Sequence, residues 1–149
     1  MNTPNHDPIT PIGTIHSAFT EAHGTPVQPF AARDHLGGSE PPLDLPAGPR
    51  THVCGGIGTL EIMPEWEEAL LHLDGFSRIW ILFWCHRSAP ASKIAIPYRD
   101  TVPHGLFATR APARPNPIGL SCVRLLGIQG RFIHVAEMDA LHGSPLRFV

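Results

Sequence analysis

A proline-rich segment in the last third of the chain places the strongest constraint on the fold. Gly105–Ser121 reads GLFATRAPARPNPIGLS, and three prolines fall within the six residues 112–117. Because proline fixes φ and lacks a backbone donor, neither a helix nor a central strand can run through these six residues. The sequence therefore predicts a stiff loop between two apolar runs.

The side chains on this loop suggest a binding role. Arg110 and Arg114 offer planar sets of donors that suit carboxylates and phosphates, and Asn116 adds an amide. A stiffened loop that carries such groups usually holds them in fixed positions. The alternative is a surface loop whose prolines only lower the entropy of the unfolded chain.

Outside this loop, strand patterns outnumber helical ones. Val53–Met63 contains apolar residues and three glycines, and Phe76–Cys85 is apolar, aromatic or β-branched at both odd and even positions. The second pattern predicts a strand that is buried on both faces. Leu120–Ile128 and Arg131–Met138 are separated by Gln129-Gly130, which predicts a hairpin.

One segment has a helical pattern. Pro64 suits the first position of a helix, acidic residues follow in the first turn, and Gly75 provides a stop. The apolar residues between them recur at helical spacing. We therefore predict a helix over Pro64–Leu73 whose apolar face is formed by Trp66, Ala69, Leu70 and Leu73.

These patterns indicate a mainly β protein and not an alternating βαβ chain. We expect a small single-sheet β-barrel, or a strongly bent sheet, with one short helix, because closure removes exposed strand edges. Residues 1–11 are expected to be a flexible lead-in, and residues 12–149 a single domain. Arg33–Arg50, rich in glycine and proline, is expected to be a long surface loop.

Composition narrows the class of protein. Charged residues make up 16% of the chain and the net charge is −2, so there is no basic excess typical of nucleic-acid binding. Three cysteines without CxxC spacing argue against a disulfide framework. No signal-peptide pattern is visible, and the longest apolar run, Ile79–Cys85, is too short to span a bilayer. We expect a soluble, cytoplasmic protein.

Sequence motifs for nucleotides and metals are weak. Gly56-Ile57-Gly58 is followed by Glu61 where the third glycine of GxGxxG would stand, so the dinucleotide fingerprint fails. The chain has ten histidines, but none has a recognisable zinc spacing with the cysteines. We expect no metal site.

Five sequence blocks together resemble the TrmO/YaeB-like (TsaA-like) family. FATR at Phe107–Arg110 and RPNPIGLS at Arg114–Ser121 are similar to the family's central motif. Ile12–Pro29 resembles its N-terminal strand and Pro-x-Gln turn, and Leu73–Ser88 its Gly-Phe-Ser-His strand. Val135–Pro145 resembles its Asp-x-x-Asp-Gly-Thr-Pro segment.

The resemblance implies a dimeric single-sheet β-barrel that binds S-adenosylmethionine outside any Rossmann architecture. It implies methyl transfer to N6 of threonylcarbamoyl-adenosine next to the tRNA anticodon. The residues that match the family's cofactor pocket are Gln28, Pro29, Phe30, His86, Arg87, Arg110, Leu120, Ala136, Glu137, Met138 and Asp139.

The implied reaction is a direct displacement that needs alignment, a closed site and a base. Asp139, Glu137 and His142 are the candidates for the base, and Asp139 is the one assigned a catalytic role. We expect Arg114 and Asn116 to face the substrate, because they follow Arg110 on the stiff loop. Asp139 could instead cap a turn, and Arg110 could simply pair with a neighbouring carboxylate.

Three departures from the family pattern leave the acceptor open. The Pro-Arg-Gln turn reads Pro26-Val27-Gln28, the second acid of Asp-x-x-Asp is His142, and the Asp-Ile-Lys-Pro-Tyr ending is absent. The further C-terminal domain of some members is also not seen. The favoured substrate is tRNA. The alternatives are methylation of a small-molecule acceptor, and a paralogue that binds S-adenosylmethionine without catalysis.

Overall fold

Strands dominate the computed structural model, which describes residues 9–21, 56–97 and 100–149. In this part of the chain the strands are β1 (Gly13–Ser17), β2 (Gly58–Ile62), β3 (Arg78–Trp84), β4 (Ile94–Ala95), β5 (His104–Gly105), β6 (Ile118–Gln129), β7 (Phe132–Ala136) and β8 (Pro145–Phe148). Short 3-10 helices span Pro64–Leu70, Leu73–Gly75 and Leu106–Ala108.

Six of these strands close into one antiparallel barrel. The order around the barrel is β1-β2-β7-β6-β3-β8, and β8 pairs with β1 to complete the circle. The remaining strands, β4 and β5, form a separate two-stranded arm through Ile94–Gly105 and Ala95–His104 pairs. The predicted fold class, a single-sheet barrel without a Rossmann pattern, is confirmed.

The interior of the barrel is filled by one face of each strand. Side chains alternate in and out along a strand, so every second residue reaches the core. The fully buried aliphatic residues come from all around the barrel and include Ile15, Leu60, Ile81, Val123, Ile133 and Leu146. This core supports the strands whose ends carry the site described below.

The hairpin predicted from Gln129-Gly130 is confirmed with small shifts. Gln129 pairs with Phe132, and Gly130 at the turn has a φ of 55°, a conformation that glycine adopts without steric cost. β6 begins two residues before the predicted start. β7 ends at Ala136 because Glu137 takes a left-handed φ of 63°, which terminates the strand.

The predicted helix over Pro64–Leu73 is present in a different form. Bonds such as the Trp66 amide to the Met63 carbonyl, 2.9 Å, make Pro64–Leu70 a 3-10 helix. With three residues per turn, the residues expected on one apolar face divide between two rows. The expected single apolar face does not form: no residue of this helix is fully buried and half of the Trp66 surface is exposed, although Leu70 packs, partly buried, against the core.

The prediction that β3 is buried on both faces was also wrong. Ile79, Ile81 and Phe83 point into the core, but Trp80 between them is 57% exposed. Among the described residues, no second layer packs over Trp80 on the outer face of this strand. The strand's apolar character on both faces therefore gives an exposed apolar surface.

Other predictions concern parts of the chain that the structure describes only partly. Residues 1–8 and the loop Arg33–Arg50 lie outside the described residues, as do residues 53–55 of the predicted second strand. Ile9–Pro11 carry no regular structure before β1, and the boundary at residue 11 stays a prediction. None of the helices in the described ranges is long and apolar enough to cross a bilayer.

Candidate functional site

The proline-rich loop is organised around the guanidinium group of Arg114. Its Nε donates to the Ala111 carbonyl at 3.0 Å, and its Nη2 donates to the carbonyls of Leu106, at 3.4 Å, and Thr109. The Thr109 hydroxyl also donates to the Leu106 carbonyl at 2.8 Å. The prolines remove donors from this loop, so one side chain supplies donors to its carbonyls. These contacts make Arg114 a structural centre of the loop.

Arg110 connects this loop to the barrel. Its Nη2 donates to the Leu120 carbonyl at 2.8 Å and lies 3.9 Å from Oδ2 of Asp139. About half of the Arg110 side chain, 48%, is exposed, whereas only 5% of Asp139 is. Arg110 therefore presents a positive charge at the surface above a buried acid.

Asp139 is held from below by Ser121. The Ser121 hydroxyl donates to Oδ1 of Asp139 at 2.5 Å, and Ser121 is itself buried in β6. Burial raises the pKa of Asp139, while the Ser121 hydrogen bond and the charge of Arg110 act in the opposite direction. Burial also raises the pKa of the nearby Cys85 thiol, and the charge of Asp139 adds to that effect. This cluster combines a desolvated acid with a partly exposed cation.

Glu137, two residues before Asp139, has a different environment. Its oxygens accept from Nη1 and Nη2 of Arg78 at 2.7 and 3.0 Å, and Nε of Arg124 lies 3.9 Å away. Arg78 and Arg124 are directly opposite each other on β3 and β6. The hydrogen bond to Glu137 is the main reason that the pKa of Arg78 is raised. Both carboxylate oxygens are thus engaged by arginine.

The other residues expected at the cofactor fall into three groups. Ala136 and Met138 are fully buried, so neither residue is exposed at the surface. His86 and Arg87 follow β3, where Nδ1 of His86 lies 3.3 Å from the Ser144 hydroxyl and Arg87 donates to the Thr20 carbonyl. Gln28, Pro29 and Phe30 lie outside the described residues.

The two remaining sequence candidates are exposed. Asn116 lies on the loop, where its carbonyl accepts from the Ile118 amide at 2.8 Å. His142 accepts a weak 3.4 Å hydrogen bond from the Ser17 amide, and its ring lies 5.3 Å from that of His16. His142 is therefore anchored on the β1 side of the barrel.

A surface cleft of about 460 Å³ joins the loop to the outer faces of β3 and β6. This volume is within the usual range for small-molecule sites. Of the sequence candidates, Arg110, Arg114 and Leu120 meet in its wall, and Asp139 connects to it through Ser121. The residues that line the cleft are Trp80, Cys85, Arg110, Pro112, Arg114, Ile118, Gly119, Leu120, Ser121 and Cys122.

Sequence reasoning missed three contributors to this region. Ser121 was visible only as the last letter of RPNPIGLS, and Trp80 was read as a core residue. Arg78 occupies the position of the histidine in the family's Gly-Phe-Ser-His pattern, and this difference was the one sequence feature that could have drawn attention to it. In the described part of the chain, no group of three or more His, Cys, Asp or Glu residues is placed to hold a metal ion.

The fold and this cluster define a class: a closed antiparallel barrel with a buried acid beside an arginine-bearing, proline-rich loop. The chain belongs to the tRNA-methyltransferase O N-terminal domain family, whose model matches residues 42–147.

Individual relatives agree with that assignment. The chain is 38% identical over 136 residues to a probable S-adenosyl-L-methionine-binding protein of Pyrococcus abyssi, covering 91% of this chain and 62% of the relative. It is 31% identical over 139 residues to human tRNA (adenine(37)-N6)-methyltransferase, covering 91% of this chain and 28% of the human protein. The crystal structure of TrmO from Pseudomonas aeruginosa has a TM-score of 0.66 and 32% identity, covering 99% of this chain and 54% of that one. The chain therefore spans only part of these relatives.

Proposed function

We propose that this chain is an S-adenosylmethionine-dependent methyltransferase that acts on tRNA, at N6 of threonylcarbamoyl-adenosine next to the anticodon. The observation that carries the proposal is the Arg110–Asp139–Ser121 cluster at the cleft. It is built on the RPNPIGLS loop and the segment after β7, within the range that the family model matches. Relatives named as S-adenosylmethionine-binding proteins and as a tRNA (adenine(37)-N6)-methyltransferase support both parts.

The chemistry of the cleft fits the cofactor. Its volume of about 460 Å³ suits a ligand of this size, and the exposed ring of Trp80 favours a cation such as a sulfonium. Arg110 offers an exposed positive charge to a carboxylate. S-adenosylmethionine, when bound, supplies an electrophilic methyl group attached to that sulfonium.

Asp139 is the residue that we assign as proton acceptor. The acceptor nitrogen is amide-like and must lose a proton as it bonds to carbon, so a base within reach assists the reaction. Oδ1 of Asp139 accepts from the Ser121 hydroxyl, and Oδ2, 3.9 Å from Arg110, is the oxygen to which we assign the proton. A raised pKa makes this carboxylate a stronger base than an exposed one. Glu137 is less suited, because Arg78 binds both of its oxygens.

Charge distribution favours RNA over a small acceptor. The residues that line the cleft include Arg110 and Arg114 and no acidic residue, although the whole chain is slightly acidic. Both arginines lie on the proline-rich loop, and β6 forms the adjoining wall. A positive surface next to the cleft would position phosphates, and binding should weaken as salt rises.

We also propose that two copies associate, as the resemblance implies, and that the protein acts in the cytoplasm. The outer face of β3, β6 and β8 supports association, because Trp80, Leu120 and Phe148 are all about half exposed there. A contiguous apolar surface of this kind is typical of interaction sites. Sedimentation of the wild-type protein and of Phe148→Glu tests it: a dimer that the variant weakens is expected, and a wild-type monomer would refute it.

A methyl-transfer assay tests the proposed activity. Purified protein is incubated with S-adenosylmethionine and tRNA that carries unmethylated threonylcarbamoyl-adenosine, and the nucleosides are analysed by mass spectrometry. We expect the methylated nucleoside, and no product on the same tRNA that lacks the threonylcarbamoyl group. Cofactor binding without any RNA product would reject tRNA as the substrate and return the question to a small acceptor or a silent paralogue.

A further inference from the structure

Phe107, next to the cleft, has an unusual position for a phenylalanine. Its surface is 82% exposed, although it lies in the short 3-10 helix Leu106–Ala108, whose first residue, Leu106, is buried. Leu106 therefore anchors the helix and Phe107 projects from it. An exposed aromatic ring on an anchored segment has little conformational freedom to lose on binding, which favours a role in recognition.

The ring also has a fixed cationic neighbour. The guanidinium carbon of Arg114 lies 5.9 Å from the centre of the Phe107 ring, within cation–π range. Hydrogen bonds to Ala111 and Leu106 hold that guanidinium group in place. The aromatic ring and the planar cation thus form one rigid unit at the surface.

A second depression of about 440 Å³ lies beside this unit. It is lined by Phe107 itself and by four small residues: Ala91, Ser92, Gly105 and Ala108. Lys93 adds a positive charge at its wall, and Leu106 and Pro115 complete the lining. The space is therefore mainly apolar, with the positive charge of Lys93 at its border.

The surrounding charge indicates the kind of ligand. Lys93 lines the depression, Arg114 lies against the Phe107 ring, and no acidic residue is among the lining residues. Sequence-specific RNA recognition commonly stacks bases that have left the helix on aromatic rings and arginine planes. A positive border next to an apolar stacking surface fits a nucleotide better than an uncharged protein segment.

We propose that Phe107, together with Arg114, is a stacking platform for an unpaired base that flanks the target adenosine in the RNA loop. The proposal rests on the function proposed above and adds a binding subsite in the neighbouring depression, with Arg114 lying between it and the cofactor cleft. Stacking on Phe107 holds the neighbouring nucleotide, so that the target base can enter the cleft beside Arg110. The interaction contributes to binding of RNA and leaves binding of the cofactor unchanged.

The test compares three substitutions at Phe107 in the full chain. Steady-state methylation of tRNA gives kcat and KM, and a labelled anticodon stem-loop gives Kd by anisotropy. Phe107→Ala is expected to raise KM and Kd for RNA about tenfold, the loss of one stacked base. Phe107→Trp should stay within about twofold of wild type, and Phe107→Leu should resemble Ala because it lacks a π face.

A matched control comes from the far end of the β6–β7 hairpin. Phe132 also has an arginine over its ring, with Arg131 at 4.9 Å, and it lies outside both depressions. Phe132→Ala should leave KM for RNA unchanged. Calorimetric titration with S-adenosylmethionine should give the same Kd for wild type and all Phe107 variants, which also verifies that they are folded.

The outcomes separate the two proposals. Methylation by wild type that Phe107→Ala does not impair overturns the stacking platform and leaves the proposed function intact. If Phe107→Leu behaves like wild type, Phe107 makes only an apolar contact. If Phe107→Ala changes the sedimentation of the protein, Phe107 lies in a contact between copies of this chain. Either result overturns the stacking platform. If wild type neither binds nor methylates RNA, both proposals fail.

Discussion

Two acids, separated by one residue along the chain, lie in opposite environments. Glu137 is engaged on both oxygens by Arg78 and approached by Arg124, so its charge is balanced by the ion pair. Asp139 has one hydroxyl partner, and the nearest charge observed, Arg110, is 3.9 Å away. The comparison teaches that an acid becomes available for chemistry when burial is not matched by close ionic partners.

The largest expected effect on activity comes from removing the carboxylate of Asp139. Asp139→Asn keeps the shape and the Ser121 contact but removes the proton acceptor, so kcat should fall by about 10²–10⁴-fold. Single-turnover methylation measures it. Glu61→Gln, on β2 and across the barrel from β3, serves as the matched carboxylate control. Equal activity of Asp139→Asn and wild type would remove Asp139 from the chemistry.

The first environment should matter for stability. Glu137→Gln leaves Arg78 and Arg124 facing each other without a balancing charge, and should lower the free energy of unfolding by about 2 kcal/mol. This value is below the range of about 3–5 kcal/mol for a fully buried pair, because Arg78 is 43% exposed. Urea denaturation measures it. Glu61 also forms ion pairs, but more exposed ones. If Glu137→Gln lowers the free energy of unfolding no more than Glu61→Gln does, the ion pair of Glu137 has no special role in stability.

Arg114→Ala tests whether catalysis near Asp139 depends on the proline-rich loop being held in place by Arg114. Loss of its carbonyl contacts should loosen the loop and lower turnover by about tenfold, since small displacements of positioning groups slow catalysis. Affinity for the cofactor should be retained. Lysine cannot bind several carbonyls at once, so Arg114→Lys should not rescue turnover. If calorimetry shows that cofactor affinity falls as much as turnover does, the prediction that Arg114 acts on turnover alone is wrong.

The pH dependence is the smallest expected effect. Because burial raises the pKa of Asp139 in the folded state, the folded protein holds this proton more tightly than the unfolded chain. Stability from this group should therefore fall as pH rises from the ordinary carboxyl pKa through the raised value. Over the same window kcat should increase as the base ionises. Denaturation and kcat measured across pH test both, and Asp139→Asn should abolish the stability trend.

Local patterns along the chain predicted much of the fold. The prolines after Arg110 gave the loop, Gln129-Gly130 gave the hairpin, and the apolar run at Phe76–Cys85 gave β3. Errors arose where a pattern had two meanings. The sequence of β3 did not show that its residues alternate between buried and exposed positions, because Trp80 is apolar although it lies on the exposed outer face. The Pro64 helix was read at the wrong period for its 3-10 form.

The candidate site was predictable as a set of residues but not as an arrangement. The loop motif and the segment after β7 named Arg110, Arg114, Glu137 and Asp139 without showing which contacts each makes. Nothing in the sequence indicated that Arg114 would bind the carbonyls of its own loop. The roles assigned to these residues stay proposals that the variants above test.

The sequence by itself determined the proline-rich loop, the strands β2, β3, β6 and β7, and the family, because these depend on proline geometry, residue patterns and a contiguous motif. Only the tertiary structure decided the partners of the two acids. Ser121 reaches Asp139 across 18 residues, and Arg78 reaches Glu137 across 59, once β6 lies beside both β3 and β7. Burial and ion pairing depend on distances through space, and the closure of the barrel sets those distances.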